Sequence, residues 1–378
     1  MAAVFKNDYG IPGFLLSSGF SHCACLVIGI SLVPFLKYII YSPRRGRKYD
    51  TSQNSVYNLD QARLNIELPP PTMWMNMGYW KDSNDLPRAC EALLQEVLKT
   101  GGLLNENGSA ISVAKACKIR MVDLGFGCGD QSVYLTQRLL QKFPSRGPSK
   151  TIPTEEKLLD SYIGITLDSG QFNYAYQRLV SDGLLDEPRI NIFCADAGKP
   201  AAWNEKLTRT VKGVHESNPS EPNPSVHEVV PEEVNCWVLA LDTLFHFSPS
   251  RLPILTYAKR ELDASVLAYD LLLADRTPFL SRLGLMIIAR FMGCPYGAFK
   301  TEREYRGLYL QAGYAEENIE LRDISEHVFR PLSSFLAERE KALEMFGWRL
   351  GKLKAAKWLF EWWARSGIIR GVIVVARK

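Results

Sequence analysis

Between residues 119 and 274 the chain alternates short apolar runs with amphipathic stretches of helical period, and few architectures accept that alternation. The runs read as strands at 119 to 124, 161 to 167, 190 to 194, 235 to 241 and 265 to 274. The stretches between them read as helices at 130 to 143, 169 to 184 and 250 to 262. Strands joined through helices imply a parallel sheet covered on both faces, an α/β fold. A helix over 84 to 100 precedes them, with Leu93, Leu94, Val97 and Leu98 at steps of one, three and four. Helices at 280 to 293 and 302 to 312, a strand at 318 to 323, two helices between 332 and 366 and a strand at 371 to 376 follow, giving seven strands. Two stretches break the pattern, 144 to 157 and 204 to 233. The second is rich in Pro, Ser, Asn and Glu and is expected to be a mobile insertion.

The N-terminus has a different composition. Residues 13 to 36 are 24 consecutive positions without Asp, Glu, Lys or Arg. As a helix this run is about 36 Å long, enough to cross a hydrocarbon core of roughly 30 Å. Arg44, Arg45, Arg47 and Lys48 follow it, whereas only Lys6 and Asp8 are charged before it. That bias predicts a single-pass membrane anchor over 1 to 41, with the larger part of the chain on the cytosolic side of an intracellular membrane. A cleaved signal peptide, a helix packed on the domain and a monotopic insertion are the competing readings. Residues 42 to 72 read as a tether, and the remainder, 73 to 378, as one domain.

With Lys+Arg at 45 against Asp+Glu at 41, there is no electrostatic case for nucleic acid. The eight cysteines form neither a disulfide framework nor a zinc spacing, and no metal site is indicated.

The strongest chemical signal is Met121-Val122-Asp123-Leu124-Gly125-Phe126-Gly127-Cys128-Gly129-Asp130, a strand running through three alternating glycines into a helix. Glycines let the backbone turn tightly and approach a ligand, and the helix N-terminus can receive polar groups. The spacing is not that of the dinucleotide fingerprint, because the third glycine comes one residue early. A tight strand-to-helix turn is the competing reading. The next strand ends in Gly164-Ile165-Thr166-Leu167-Asp168-Ser169-Gly170-Gln171, and the third in Cys194-Ala195-Asp196-Ala197. Hydroxyl, carboxylate and amide groups at successive strand ends suit a ligand lying along that edge, although Asp196 could equally cap a turn.

Together with the upstream Met75-Asn76-Met77-Gly78-Tyr79-Trp80, these residues resemble class I S-adenosylmethionine-dependent methyltransferases. Within them they are similar to the small-molecule group of tocopherol, cyclopropane-fatty-acid and rifamycin methyltransferases. The resemblance covers about 70 to 378 and implies a Rossmann-like seven-stranded sheet whose last strand is antiparallel. It implies S-adenosylmethionine as cofactor, with Asp123, Gly125, Gly127 and Gly129 at its methionine part. Thr166 and Gln171 fall near the ribose, Asp196 and Ala197 near the adenine, and Tyr79 and Trp80 close over it. Asp168 stands where the lipid-modifying relatives tend to have Ser.

Methyl transfer needs an acceptor held in line and a group to take its proton. His246, in Leu241-Asp242-Thr243-Leu244-Phe245-His246-Phe247, is the candidate base, and Asp275 at the end of the fifth strand could orient it. Packing or capping for His246, and an ion pair with Arg276 for Asp275, are the competing roles. His327 follows the sixth strand and could also reach substrate. The helix Trp348 to Arg365 carries aromatic and basic residues that suit either a core helix or contact with headgroups. The sequence thus predicts methyl transfer to a small, lipophilic acceptor, O-methylation favoured over C- or N-methylation. A nicotinamide oxidoreductase, a protein methyltransferase and a non-catalytic scaffold stay open.

Overall fold

The computed structural model describes residues 63–64, 66–111, 118–139, 159–213, 234–291 and 296–378. The anchor expected at 13 to 41 and the break at 144 to 157 lie outside them. Among the described residues no helix is long and apolar enough to cross a membrane.

Helix α1, Leu86–Thr100, starts where Asp85 accepts a hydrogen bond from the Arg88 amide. It is followed by β1 (Lys118–Leu124), α2 (Asp130–Tyr134) and a π-helical turn, Leu135–Leu139. Next come β2 (Leu159–Thr166), α3 (Ser169–Ser181), β3 (Ile190–Cys194) and α4 (Glu205–Lys212). The central part closes with β4 (Val234–Leu241), α5 (Leu252–Arg260), β5 (Ser265–Leu273) and α6 (Phe279–Phe291). The last elements are β6 (Lys300–Thr301), α7 (Glu302–Ala312), β7 (Ile319–Asp323), α8 (Phe329–Met345), α9 (Leu353–Ser366) and β8 (Ile369–Ala376).

The strands form one sheet of order β3-β2-β1-β4-β5-β8-β7, with the two-residue β6 paired to β5. All pairs from β3 to β5 are parallel, and β8 lies antiparallel to both β5 and β7. The expected architecture is therefore present, with β6 as an eighth strand too short to carry a periodic signal. Side-chain alternation sorts β5 between two layers. Val266, Ala268 and Leu272 join a buried cluster with Ile254 and Leu255 of α5 and Tyr305 and Tyr309 of α7. Leu267 points the other way, against Gly101 at the end of α1.

The segment expected to open a mobile insertion at 204 begins instead with α4. Asn204 caps it by accepting from the Leu207 amide, Gly213 ends it in the left-handed conformation, and Leu207 and Val211 are buried. Polar composition hid two apolar anchors one turn apart. Residues 214 to 233 lie outside the described part.

The chain divides into two compact units, 67–335 with 358–378, and 1–66 with 336–357. The first holds the sheet. In the second, Glu340 pairs with Lys354 at 2.9 Å and with Lys357.

Candidate active site

At the carboxyl ends of β1, β2, β3 and β4 the sheet unit opens into a crevice of about 460 Å3. That volume is ordinary for a small-molecule site. Its floor is the loop from β1 to α2, where Gly125, Gly127 and Gly129 have φ of 77, 63 and 92°. These values are costly for any residue with a Cβ. At Gly125 sterics add to the strain, because a Cβ there would lie 2.5 Å from Oγ1 of Thr243 in the neighbouring loop.

Asp123 is fully buried behind this loop and does not line the crevice. Its carboxylate accepts from Gln131 Nε2 at 2.6 Å and from the Tyr162 hydroxyl at 2.7 Å. Burial pushes its pKa up to about 6, and those two hydrogen bonds oppose the rise. Asp123 ties β1 to the first turn of α2 and to β2. The residue expected at the cofactor's methionine part thus lies beneath the loop, where it acts as a brace.

Thr166, Gln171, Asp196 and Ala197 do converge on the crevice. Thr166 Oγ1 donates to Gln171 Oε1 at 3.3 Å. Asp168 caps α3 by accepting from the Gln171 amide at 2.8 Å. Asp196 accepts from the Gly198 amide at 2.9 Å and pairs with Lys199 at 2.9 Å, so it performs the turn role and faces the crevice as well. Leu167, 69% exposed, and Phe247 give this wall an apolar surface that the sequence reading passed over.

The loop after β4 is built differently. Asp242 has φ 60°, a left-handed backbone that a non-glycine residue rarely adopts. Its Oδ2 accepts from the Met77 amide at 2.8 Å, while Oδ1 is buried without a hydrogen-bond partner. Burial raises its pKa to about 7. His246 stands on a 3-10 turn, Leu244–His246, exposed to the crevice beside Phe245. Partial removal from water holds its imidazole below the ordinary histidine value, so the ring is neutral at neutral pH.

Asp275 is exposed beyond β5 and does not line the crevice that His246 lines. The carboxylate whose field reaches His246 is Asp270. Asp270 is fully buried, ion-paired to Arg251 at 2.8 Å and hydrogen-bonded by the Tyr305 hydroxyl at 2.8 Å.

Over the glycine loop runs a strap, residues 70 to 77. Asp130 fixes one part of it, accepting from the Met73 amide at 2.9 Å and pairing with Arg178 at 2.8 Å. Asp242 fixes the other through Met77. Between them Met73, Trp74, Met75 and Asn76 line the crevice. Tyr79 and Trp80, expected to close over a cofactor, do not. Positive φ at Gly78 turns the chain inward, and both residues are buried. The Tyr79 amide donates to Ala89 of α1, and the Trp80 indole donates to the Met77 carbonyl and packs on Phe335. Their motif thus secures the strap. His327 sits beside Tyr79, ring centroids 5.0 Å apart, and is likewise outside the crevice.

No family model matches the sequence, and no curated protein does. Solved structures do. A protein of Galdieria sulphuraria assigned as a sarcosine dimethylglycine methyltransferase aligns at 14% identity with a TM-score of 0.50, over 80% of this chain and 93% of its own. The 4+2 cyclase SpnF aligns at 16% and 0.49 over 85% and 93%. Geranyl diphosphate C-methyltransferase of Streptomyces coelicolor A3(2) aligns at 14% and 0.45 over 77% and 80%. At these identities what is shared is the fold.

Proposed function

We propose that this chain, which has the fold of a class I methyltransferase, transfers a methyl group from S-adenosylmethionine to a small acceptor, with oxygen as the favoured acceptor atom. The observation that carries the reading is the convergence of the glycine loop, the polar ends of β2 and β3 and His246 on one crevice. Similarity to solved methyltransferase folds supports it.

The glycine loop leaves backbone room for an amino-acid moiety. Thr166 and Gln171 offer hydroxyl and amide to a sugar, while Asp196, Leu167 and Phe247 offer one carboxylate and apolar walls to a purine. S-adenosylmethionine supplies an electrophilic methyl group on a sulfonium. Trp74 and Met75 of the strap exclude water from that side. With that cofactor bound, neutral His246 would accept the proton that the acceptor's hydroxyl gives up. The lowered histidine value keeps it competent as a base at neutral pH. We place this chemistry on the cytosolic face of an intracellular membrane, held there by residues 13 to 41, which motivates a lipophilic acceptor.

The test is calorimetric titration of the full chain in detergent with S-adenosylmethionine, S-adenosylhomocysteine and NADH. The two adenosyl compounds should bind and NADH should not. Gly127→Arg should weaken that binding about a hundredfold or more, since it strains a backbone at φ 63° and fills the crevice. Binding of NADH alone, or of nothing, refutes the reading.

A further inference from the structure

Helix α6 leaves β5 at the same sheet edge as the crevice, and its outer face is apolar. Phe279 and Leu280 are each 78% exposed, Met286 is 48% and Leu283 is 39%. Positions 279, 283 and 286 recur at steps of four and three, so they share one helix face, with Leu280 at its border. The helix is seated by its opposite face, where Leu285 and Ala289 are fully buried. A monomer in water rarely leaves a row of large apolar side chains like this uncovered.

The surroundings of the face identify what covers it. The sequence of α6 contains two arginines and no acid, and exposed Arg276 precedes it, next to Asp275. On α9, the Trp362 ring lies 3.7 Å from the position a Cβ would occupy at Gly284 of α6. One turn before Trp362, Trp358 is 55% exposed. Exposed Phe, Leu and Met, a rim tryptophan and the exposed Arg276 match the headgroup boundary of an anionic bilayer. The same chain carries the 24-residue uncharged run 13 to 36 followed by four basic residues, the run that the proposed function sets in a bilayer.

We infer that the outer face of α6 is a second membrane contact, separate from the N-terminal run, which dips Phe279, Leu283 and Met286 among the acyl chains of an anionic leaflet. This rests on the membrane part of the proposed function and goes beyond it, because it brings the crevice edge itself to the lipid. The acceptor then reaches the crevice from the leaflet, without crossing water.

The full chain is reconstituted in phosphatidylcholine vesicles with and without phosphatidylserine, each containing a lipid with a photoreactive group in its acyl chain. Labelled peptides are then mapped by mass spectrometry. Adducts should appear on residues 279 to 286, more in the phosphatidylserine vesicles. They should fall about tenfold in a Leu280→Glu, Leu283→Glu double variant, whose substitutions lie at the surface and leave the melting temperature unchanged. No adduct on α6, whatever happens at 13 to 36, overturns the inference. So does a dimer in sedimentation that the double variant dissociates, since a second copy would then cover the face. Cofactor titration is a separate readout: labelling of α6 in a chain that binds no adenosyl compound would leave this inference standing and remove the methyltransferase reading.

Discussion

The loops after β1 and β4 are neighbours on one sheet edge, yet they handle a buried carboxylate in opposite ways. Beneath the first, Asp123 has two donors on its oxygens and an ordinary strand backbone. In the second, Asp242 has one donor, one bare oxygen and a left-handed backbone. Strain and an unmet hydrogen bond each cost stability and persist only where the surroundings enforce them. The first loop is therefore a shaped backbone on a satisfied foundation, and the second presents unsatisfied chemistry to the crevice.

The largest expected effect tests the second loop. His246→Ala should lower kcat about a thousandfold while calorimetric affinity for S-adenosylhomocysteine stays put. An unchanged kcat would move the proton acceptor elsewhere, with Asp242 next in line. On the first loop, Asp123→Ala should cost about 3 kcal/mol in urea denaturation, because the Gln131 amide and the Tyr162 hydroxyl lose their buried acceptor. A loss below about 1 kcal/mol would mean that Asp123 is no foundation.

Asp242→Asn should act in the opposite direction. A carboxyl with a raised folded pKa binds its proton more tightly in the native state than in the unfolded chain. Its help to folding is thus complete below about pH 4 and is lost as pH rises through about 7. At pH 8 the wild type must bury an ionised group. The asparagine variant keeps an acceptor for the Met77 amide, tolerates φ 60° and should be about 2 to 4 kcal/mol more stable. Thermal melts should show that gap shrinking towards pH 4, and a pH-independent gap would contradict the raised value. Smallest of all, Tyr79→Phe should shift cofactor affinity by less than about twofold, because the ring is buried behind the strap. A larger loss would restore its expected place over the ligand.

What could be read in advance follows the same division. The glycine loop was legible because three closely spaced glycines between a strand and a helix have few other uses. Thr166, Gln171, Asp196 and Ala197 were legible because strand ends in a parallel sheet share an edge. Asp242 was visible only as one letter of a motif, since its orphan oxygen depends on a dihedral angle and on Met77, 165 positions away. Tyr79 and Trp80 were misplaced for a local reason: nothing in Met77-Gly78-Tyr79 says that positive φ at Gly78 sends the aromatics inward and leaves Trp74 and Met75 outside. Asp275 follows its strand as expected, but it lies outside the crevice, and the buried charges whose field reaches His246 are Asp270 and Arg251.

The position of β8 sets a schedule for the chain's synthesis. It pairs Val266 of β5 with Ala376 and Ile319 of β7 with the same residue. A nascent polypeptide can assemble β1 to β5 as a parallel platform, but β7 has no neighbour until β8 has been made. Until then the bare edge of β5 is open to pairing with other chains. The sheet is therefore completed only by β8, after every strand that borders the crevice, and a chain lacking β8 would carry a ligand-shaped edge on an unfinished sheet.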